Sequence, residues 1–531
     1  MTLAPRFLVN LWAGLRVARF ARRLRQADGD ARAQQETFAR LVAQSAGTEF
    51  GRTHGLLAGM SYAQFREKVP PRGTDWFQPW VARMATGEPN VLLPGTCPLF
   101  VETAGTTGAT RRMLPAPEAM LDHFGAGLRD TLFLYAQRAG HTGVFLGRQL
   151  HLGASIAVAE DRGRYRTGLD GLLTLCLSPW AEANLRSPPG EVAVLPEGPE
   201  KNTAIARAML GRDVTLIGGP PAQLCALVAA VRQATAKDAS LQQVWPNLEC
   251  CLHTGAPLGL FAENLRTGLG PEVRLHELYA AAEGLFAAQD NGSPTALRLL
   301  TDTGVFFEFL PLASHNESAL EKAGPLCVPL GEVHPDTDYV PVLTTPAGLC
   351  RYVTDDIVRF VSVHPPRLRV VGRTVHRLDS FGEQVTEQDV RETLQAVCER
   401  NGWHPAAMHV APYVQRLGAG QVTHVHEWWL ELGTHSVKTP LANVLGPELD
   451  AGLAHRNRDY ALRREQRMLG QPLVRLVMPG VFDHWARTHH RTAGVSKLPP
   501  CRSDRLVADQ LAALAPFYQG TIAPFPMTGP G

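Results

Sequence analysis

Phe100-Val101-Glu102-Thr103-Ala104-Gly105-Thr106-Thr107-Gly108-Ala109-Thr110-Arg111-Arg112 tells more about this chain than any other stretch. An apolar run from Pro98 to Val101 feeds a turn of glycines and hydroxyl residues, and two arginines follow at once. Glycine exposes backbone N–H groups and threonine adds hydroxyl donors, and both suit the oxygens of a polyphosphate. Arginine adds charge-assisted hydrogen bonds to the same oxygens. No Gly-Lys-Ser/Thr follows at the Walker spacing, so this is not a P-loop. An ordinary loop can have the same composition, so the segments around it decide its meaning.

Three further stretches have the residue types that a nucleotide site needs. Leu275-His276-Glu277-Leu278-Tyr279-Ala280-Ala281-Ala282-Glu283-Gly284 follows a strand-like run (Leu248 to Leu252), the turn His253-Thr254-Gly255-Ala256-Pro257, and a helix. An aromatic ring four residues before a carboxylate can offer a stacking face for a base and a ligand for Mg2+. A buried Tyr and a helix-capping Glu would give the same pattern. Gly348-Leu349-Cys350-Arg351-Tyr352-Val353-Thr354-Asp355-Asp356-Ile357-Val358-Arg359 puts consecutive carboxylates on a strand at a turn, where their oxygens can accept from both hydroxyls of a ribose. Asp-Asp turns also occur without any ligand. In Val370-Val371-Gly372-Arg373-Thr374-Val375-His376-Arg377-Leu378-Asp379-Ser380-Phe381-Gly382-Glu383, a Gly-Arg pair falls where the composition shifts, as at a hinge.

Phosphate loop, Tyr-x-x-x-Glu, ribose carboxylate and Gly-Arg hinge stand here in the order found in adenylate-forming enzymes. At these residues the chain resembles the ANL superfamily. More closely it resembles the auxin-responsive, Gretchen-Hagen-three family of acyl-acid amido synthetases. Ala46-Gly47-Thr48-Glu49-Phe50-Gly51-Arg52 with Tyr62-Ala63-Gln64-Phe65-Arg66-Glu67-Lys68-Val69-Pro70 is similar to that family's N-terminal pattern. Phe306-Phe307-Glu308-Phe309-Leu310-Pro311 is similar to its central strand, and His426-Glu427-Trp428-Trp429-Leu430-Glu431 with Lys497-Leu498-Pro499-Pro500 to its C-terminal domain. The resemblance runs from about residue 34 to about 505.

The resemblance implies a role for each matching residue. Thr103, Gly105, Thr106, Thr107, Gly108 and Arg112 fall on the phosphate loop, and Gly255 and Ala256 in the turn beside the adenine. Tyr279 falls on the adenine platform, Glu283 on the Mg2+ ligand, Asp356 on the ribose-binding Asp and Arg373 on the hinge arginine. Lys497 falls on a C-terminal lysine that reaches the reacting carboxylate or α-phosphate in one domain orientation. Some positions depart from the pattern. Ala104 and Ala282 stand where small hydroxyl residues are usual, Arg112 where Lys is common, Asp355 where Gly is usual, Val353 where a second Arg is usual, and Gln384 where Lys is usual. Each lost hydroxyl donor weakens ATP binding by on the order of 1 kcal/mol or more.

At 531 residues the chain is too long for one compact core. From Pro98 to about Val371, short apolar runs (Thr142 to Leu146, Val214 to Ile217, Leu248 to Leu252, Val305 to Leu310) alternate with helical stretches (Pro117 to Gly140, Pro221 to Ala236). That alternation predicts α/β architecture with parallel pairing. Before it, Phe38, Leu41 and Val42 have helical spacing. After Arg373 come a helix (Glu387 to Arg400), a strand (Val422 to Leu432) and a helix (Leu453 to Met468). The expected fold is α/β: a large N-terminal adenylation domain over residues 1–374, with mixed sheets and flanking helices, and a small mobile α+β domain over 375–531.

A formal charge of +2 gives no argument for nucleic acid. Nine scattered cysteines without a C-x-x-C pair favour neither zinc nor a disulfide framework. His424, His426, His489 and His490 read as structural or solvated rather than as metal ligands. No run of eighteen apolar residues is present, so nothing spans a membrane. The first 27 residues contain six arginines (Arg6, Arg16, Arg19, Arg22, Arg23, Arg25) among Phe7, Leu8, Leu11, Trp12 and Leu15, with no acidic residue. They read as a helix packed on the body, or as a peripheral membrane-surface or targeting segment.

The expected activity is ATP- and Mg2+-dependent. AMP transfer to a carboxylic acid expels pyrophosphate, and an amine, taken to be that of an amino acid, then attacks the acyl-adenylate. Two rivals are an acyl-CoA ligase and a catalytically impaired family member acting as a binding protein. The protein is expected in the cytoplasm, as a monomer or weak dimer.

Overall fold

The computed structural model describes residues 5–25, 29–103, 112–254, 258, 261–374, 376–416, 422–433, 442–489 and 498–515. The chain divides into two compact units: Met1–Pro257 with Asn264–Val370, and Leu258–Glu263 with Val371–Gly531.

The first unit is organised on one large mixed sheet. Its parallel half runs through Arg186–Ser187, Arg148–His151, Val214–Gly219, Cys250–His253 and Arg274–Ala281. All six residues of Val214–Gly219 are buried. Helices cover such strands on both faces, so they read as continuous apolar runs. At Arg274–Ala281 the sheet changes character, because Gly284–Gln289 returns antiparallel beside it. Leu297–Leu299 and then Pro366–Arg373 extend this half; Asp356–Val363, Asp338–Thr344 and Phe306–Pro311 follow in the same sheet. A four-stranded sheet holds Arg112–Pro115, Leu99–Thr103, Arg164–Thr167 and Ala159–Asp161 in that order.

Helices form where the apolar spacing places them, at Gly29–Ala46, Glu118–Ala139 and Pro221–Thr235. The first buries Phe38, Leu41 and Val42. The second ends at Gly140, whose φ of 78° closes the left-handed cap. The run Thr142 to Leu146 is not a strand. Its centre, Gly143–Phe145, is a 3-10 turn with Val144 and Phe145 buried, and the strand starts later, at Arg148. Short apolar runs do not reveal their own period, which is why this one misleads.

A fully buried ion pair ties the N-terminal pattern to the sheet. Arg351 donates from Nε (3.0 Å) and Nη2 (2.9 Å) to the Glu308 carboxylate. It also donates to the carbonyls of Arg66 (3.1 Å), Val69 (2.8 Å) and Gly324 (3.0 Å). Tyr62 donates to Glu308 as well, at 2.9 Å.

In the second unit, Pro405–Arg416, Val422–Leu432 and Leu473–Val477 form a three-stranded sheet. Side chains alternate across it, so Val410 and Trp428 join one apolar cluster while Ala411 and Trp429 join another. Helix Glu387–Asn401 starts in a capping box between Thr386 and Asp389. The expected helix from Leu453 to Met468 is two helices, Ala442–Arg456 and Arg458–Glu465. Asn457 breaks it, because its side chain accepts from the Tyr460 N–H at 2.8 Å and so caps the second helix.

Candidate functional site

The candidate site lies at the carboxyl ends of the parallel strands, where open α/β sheets bind ligands. His253 pairs with Glu277 in the ladder, so Tyr279 stands two residues beyond the last paired residue of the neighbouring strand. A turn at Ala282–Glu283 leads directly into Gly284–Gln289. Glu283 therefore sits on a strand–turn–strand corner and caps no helix.

The contacts among these residues close into a circuit. Tyr279 donates its hydroxyl to Asp356 at 2.6 Å, and its ring lies 5.0 Å from that of Phe286. Asp356 opens the strand Asp356–Val363, and the residue before it, Asp355, lies 3.8 Å from the Arg112 guanidinium. Arg112 also pairs with Asp75 at 3.0 Å. Asp75 follows Thr74 in the first turn of helix Thr74–Thr86, and the Thr74 hydroxyl is hydrogen-bonded to Tyr352. Tyr352 in turn donates to Glu283 at 2.9 Å, which returns the circuit to the Tyr279 segment. With its own proton directed at Glu283, Tyr352 can only accept from Thr74.

Burial is the largest influence on Glu283 and raises its pKa above the usual carboxylate range. The Tyr352 hydroxyl opposes that rise, and the charges of Asp356 and Asp355 add to it. His123 braces the same corner: its Nε2 accepts from the Leu285 N–H at 3.0 Å, and its Nδ1 donates to the Thr303 carbonyl at 2.9 Å. That pattern requires a neutral ring, and burial lowers the His123 pKa to about 4. A Cβ at Gly284 would meet His123 Nε2 at 2.7 Å and the Phe286 ring at 2.6 Å, so the residue after Glu283 has no room for a side chain.

Of the residues singled out from sequence, Tyr279, Glu283, Asp356 and Arg112 come together in this circuit. Thr103 is the last residue of its strand and lies opposite Arg112 in the antiparallel ladder, so the two ends of the Thr/Gly segment sit side by side. Gly105, Thr106, Thr107, Gly108, Gly255, Ala256 and Lys497 lie outside the described residues, as does the Thr103 side chain. Arg373 ends the strand Pro366–Arg373 and belongs to the second unit, where its carbonyl accepts from the His376 N–H at 2.9 Å. Sequence reading missed Thr74 and Asp75, quoted Tyr352 without giving it a role, and read Asp355 with Asp356 as a ribose-gripping pair rather than as a partner of Arg112. Their one local sign was the helix start at Gly73-Thr74-Asp75.

The histidines considered as metal ligands have other partners. His426 is bonded to Glu383 at 3.0 Å, and the His424 ring lies 4.6 Å from that of Phe381. The His489 side chain and His490 are outside the described residues.

Family comparison covers most of the chain. The GH3 family N-terminal domain matches residues 21–273, the GH3 family central domain residues 298–373, and the GH3 family C-terminal domain residues 388–505. The chain belongs to the GH3 family. Probable indole-3-acetic acid-amido synthetase GH3.2 of Oryza sativa subsp. japonica is 21% identical, with 88% of each chain covered. Indole-3-acetic acid-amido synthetase GH3.8 of Oryza sativa subsp. indica is also 21% identical, over 88% of this chain and 87% of its own. Among solved structures, GH3.15 acyl acid amido synthetase superposes with a TM-score of 0.69 at 18% identity, covering 92% of this chain and 93% of its own. 2-Hydroxyisobutyryl-CoA ligase in its postadenylation state follows at 0.54 and 13%, with 91% of each chain covered. These likenesses fix a fold of adenylate-forming type. Tyr279 and Glu283 fall in the gap between the first two matched GH3 domains, so their place in the site rests on the circuit itself.

Proposed function

We propose that this GH3 protein is an ATP-dependent acyl-acid amido synthetase. The observation that carries this is the circuit through Tyr279, Asp356, Arg112 and Glu283, which gathers an aromatic face, a carboxylate pair and an arginine at the end of a phosphate-type turn. A carboxylate oxygen of the acid attacks the α-phosphorus of ATP, the bond to the β-phosphate oxygen breaks, and pyrophosphate leaves. The amine of an amino acid then attacks the acyl carbon, AMP departs and the amine loses a proton. A bare carboxylate would have to expel oxide, and adenylation supplies a stable leaving group instead.

Tyr279 offers its ring to the adenine, and Asp356 exchanges the Tyr279 hydroxyl for those of the ribose. Arg112 exchanges Asp75 and Asp355 for phosphate oxygens, alongside Thr103, Gly105, Thr106, Thr107 and Gly108. Gly255 and Ala256 border the base. Glu283 would hold Mg2+ as a single protein carboxylate, since among the described residues no group of three His, Cys, Asp or Glu side chains is placed to hold a metal ion. Mg2+ is commonly held by one or two carboxylates together with phosphates and waters. When bound, the ion neutralises charge on the phosphates. The small domain, 375–531, turns about Arg373 and brings Lys497 to the reacting carboxylate. The protein works in the cytoplasm as a monomer or weak dimer.

Pyrophosphate exchange into ATP, screened over aryl, indolyl and fatty acids, tests the first half-reaction, and mass spectrometry of amino-acid conjugates tests the second. Exchange with at least one acid and an amide product is expected. A thioester in preference to an amide, when coenzyme A and amino acids are both supplied, would replace this assignment with a CoA ligase. ATP binding without exchange on any acid would leave a binding protein, as Ala104 and Ala282 would allow.

A further inference from the structure

Helix Arg6–Leu24 has two apolar faces, and its packing accounts for only one. Inward, Ala13 and Phe20 are buried, with Val9, Val17 and Leu24 packed on the core. The Phe20 ring lies 5.5 Å from Phe133 on helix Glu118–Ala139, and Arg23 pairs with Asp130 at 2.6 Å and Asp302 at 3.0 Å. Arg6 pairs with Asp213 at 3.2 Å. The helix is thus held on the body, and its outward face is fixed in place.

That outward face is apolar at its start and basic at its end. Phe7 (69% exposed), Leu8 (46%), Leu11 (61%), Trp12 (47%) and Leu15 (57%) form one stripe at helical spacing. Trp180, from helix Pro179–Asn184, extends it, with its ring 6.2 Å from that of Trp12. Contiguous exposed apolar groups of this size mark an interaction surface. Arg16 lies over the Trp12 ring at 4.9 Å, and Arg19, Arg22 and Arg25 continue along the exposed side. Among the described residues no carboxylate forms an ion pair with Arg16, Arg19, Arg22 or Arg25. Six arginines and no acidic residue precede Asp28, so a chain totalling +2 carries −4 over its remainder.

We propose that this face docks on an anionic lipid surface, with the Phe7–Leu15 stripe in the headgroup boundary and the arginines on lipid phosphates. Charge selects the occupant. The same face of a second copy is equally basic and offers these arginines no acidic partner, whereas anionic headgroups complement them. No described helix is long and apolar enough to cross a membrane, so the contact is peripheral. Arginines near a negatively charged leaflet strengthen such binding, and salt weakens it.

Co-sedimentation of the full chain with phosphatidylcholine vesicles, with and without phosphatidylserine, tests the proposal. The chain should pellet with phosphatidylserine vesicles, less so as salt rises, and poorly with phosphatidylcholine alone. Leu11→Glu with Trp12→Glu should lower the bound fraction at least about tenfold at low salt. Arg19→Ala with Arg22→Ala should do so to a similar extent, also about tenfold. All four side chains are exposed, so melting temperature should fall only by what the Trp12–Trp180 ring contact contributes, and not at all in the arginine variant. The proposal is overturned if the wild-type chain stays in the supernatant, or if the variants bind as it does. It is equally overturned if light scattering shows a dimer that the Leu11/Trp12 variant dissolves, which would assign the face to a second copy.

Discussion

Two clusters in the large unit use the same ingredients (carboxylates, arginine and tyrosine) in opposite ways. Around Arg351 all five guanidinium N–H groups have acceptors, and Glu308 takes Arg351 on both oxygens and Tyr62 on one. Both charged side chains are fully enclosed. Around Glu283, Tyr352 donates to a carboxyl whose pKa burial raises and the charges of Asp356 and Asp355 raise further. Where every valence is filled within the chain, the cluster holds the fold. A carboxyl disfavoured in its charged form by burial and by like charge instead leaves work for a cation that arrives with a substrate.

That contrast breaks first at Glu308. Glu308→Ala strands a buried guanidinium and should cost about 3–5 kcal/mol in urea unfolding. A loss below about 1 kcal/mol would mean the pair is not structural. Glu283→Ala should behave in the opposite way: pyrophosphate exchange falls about 10²- to 10³-fold, with unfolding free energy unchanged or slightly higher because an enclosed carboxylate is gone. If Glu283→Ala lost stability as Glu308→Ala does, the two clusters would be of one kind. Tyr352→Phe is the milder probe. It removes the donor to Glu283 while keeping the ring on Phe77, 5.7 Å away, and should cost exchange about tenfold, the worth of roughly one hydrogen bond to a charged group. Wild-type exchange rates in that variant would remove Tyr352 from the site.

How much of this was legible follows from where the partners lie along the chain. Helix Glu118–Ala139 and strand Val422–Leu432 could be read because period and punctuation are local. Thr142 to Leu146 and Leu453 to Met468 went wrong for the same reason, since a tight turn and an Asn cap interrupt patterns that look continuous. Tyr279, Glu283 and Asp356 were marked by their motifs, yet the groups that position them could not be. Thr74 meets Tyr352 across 278 positions, and Tyr352 meets Glu283 across 69. Asp355 stood out as a departure from glycine, but its meaning as a counter-charge to Arg112 needs the neighbouring sheet. Glu308, inside a strand otherwise aromatic and aliphatic, was quoted only within its motif, although a lone acid in such a run requires a partner.

The smallest expected effect sharpens the comparison by titration. Glu283 has its folded pKa raised, chiefly by burial, so the fold favours its protonated form. Its contribution to stability is therefore full below the unfolded glutamate value, near 4.3, and is lost as pH rises through the elevated folded pKa. Glu283→Gln cannot titrate. Wild-type stability relative to this variant should thus decline across that window, by about 1.4 kcal/mol for each pH unit the pKa is displaced. Mg2+ binds the ionised carboxylate, so adding MgCl2 should recover part of the decline in the wild type and none in Glu283→Gln. Melting temperature against pH, with and without MgCl2, reads both effects. A relative stability that climbs with pH would show that Tyr352 outweighs burial at Glu283, making that corner resemble Glu308 rather than oppose it.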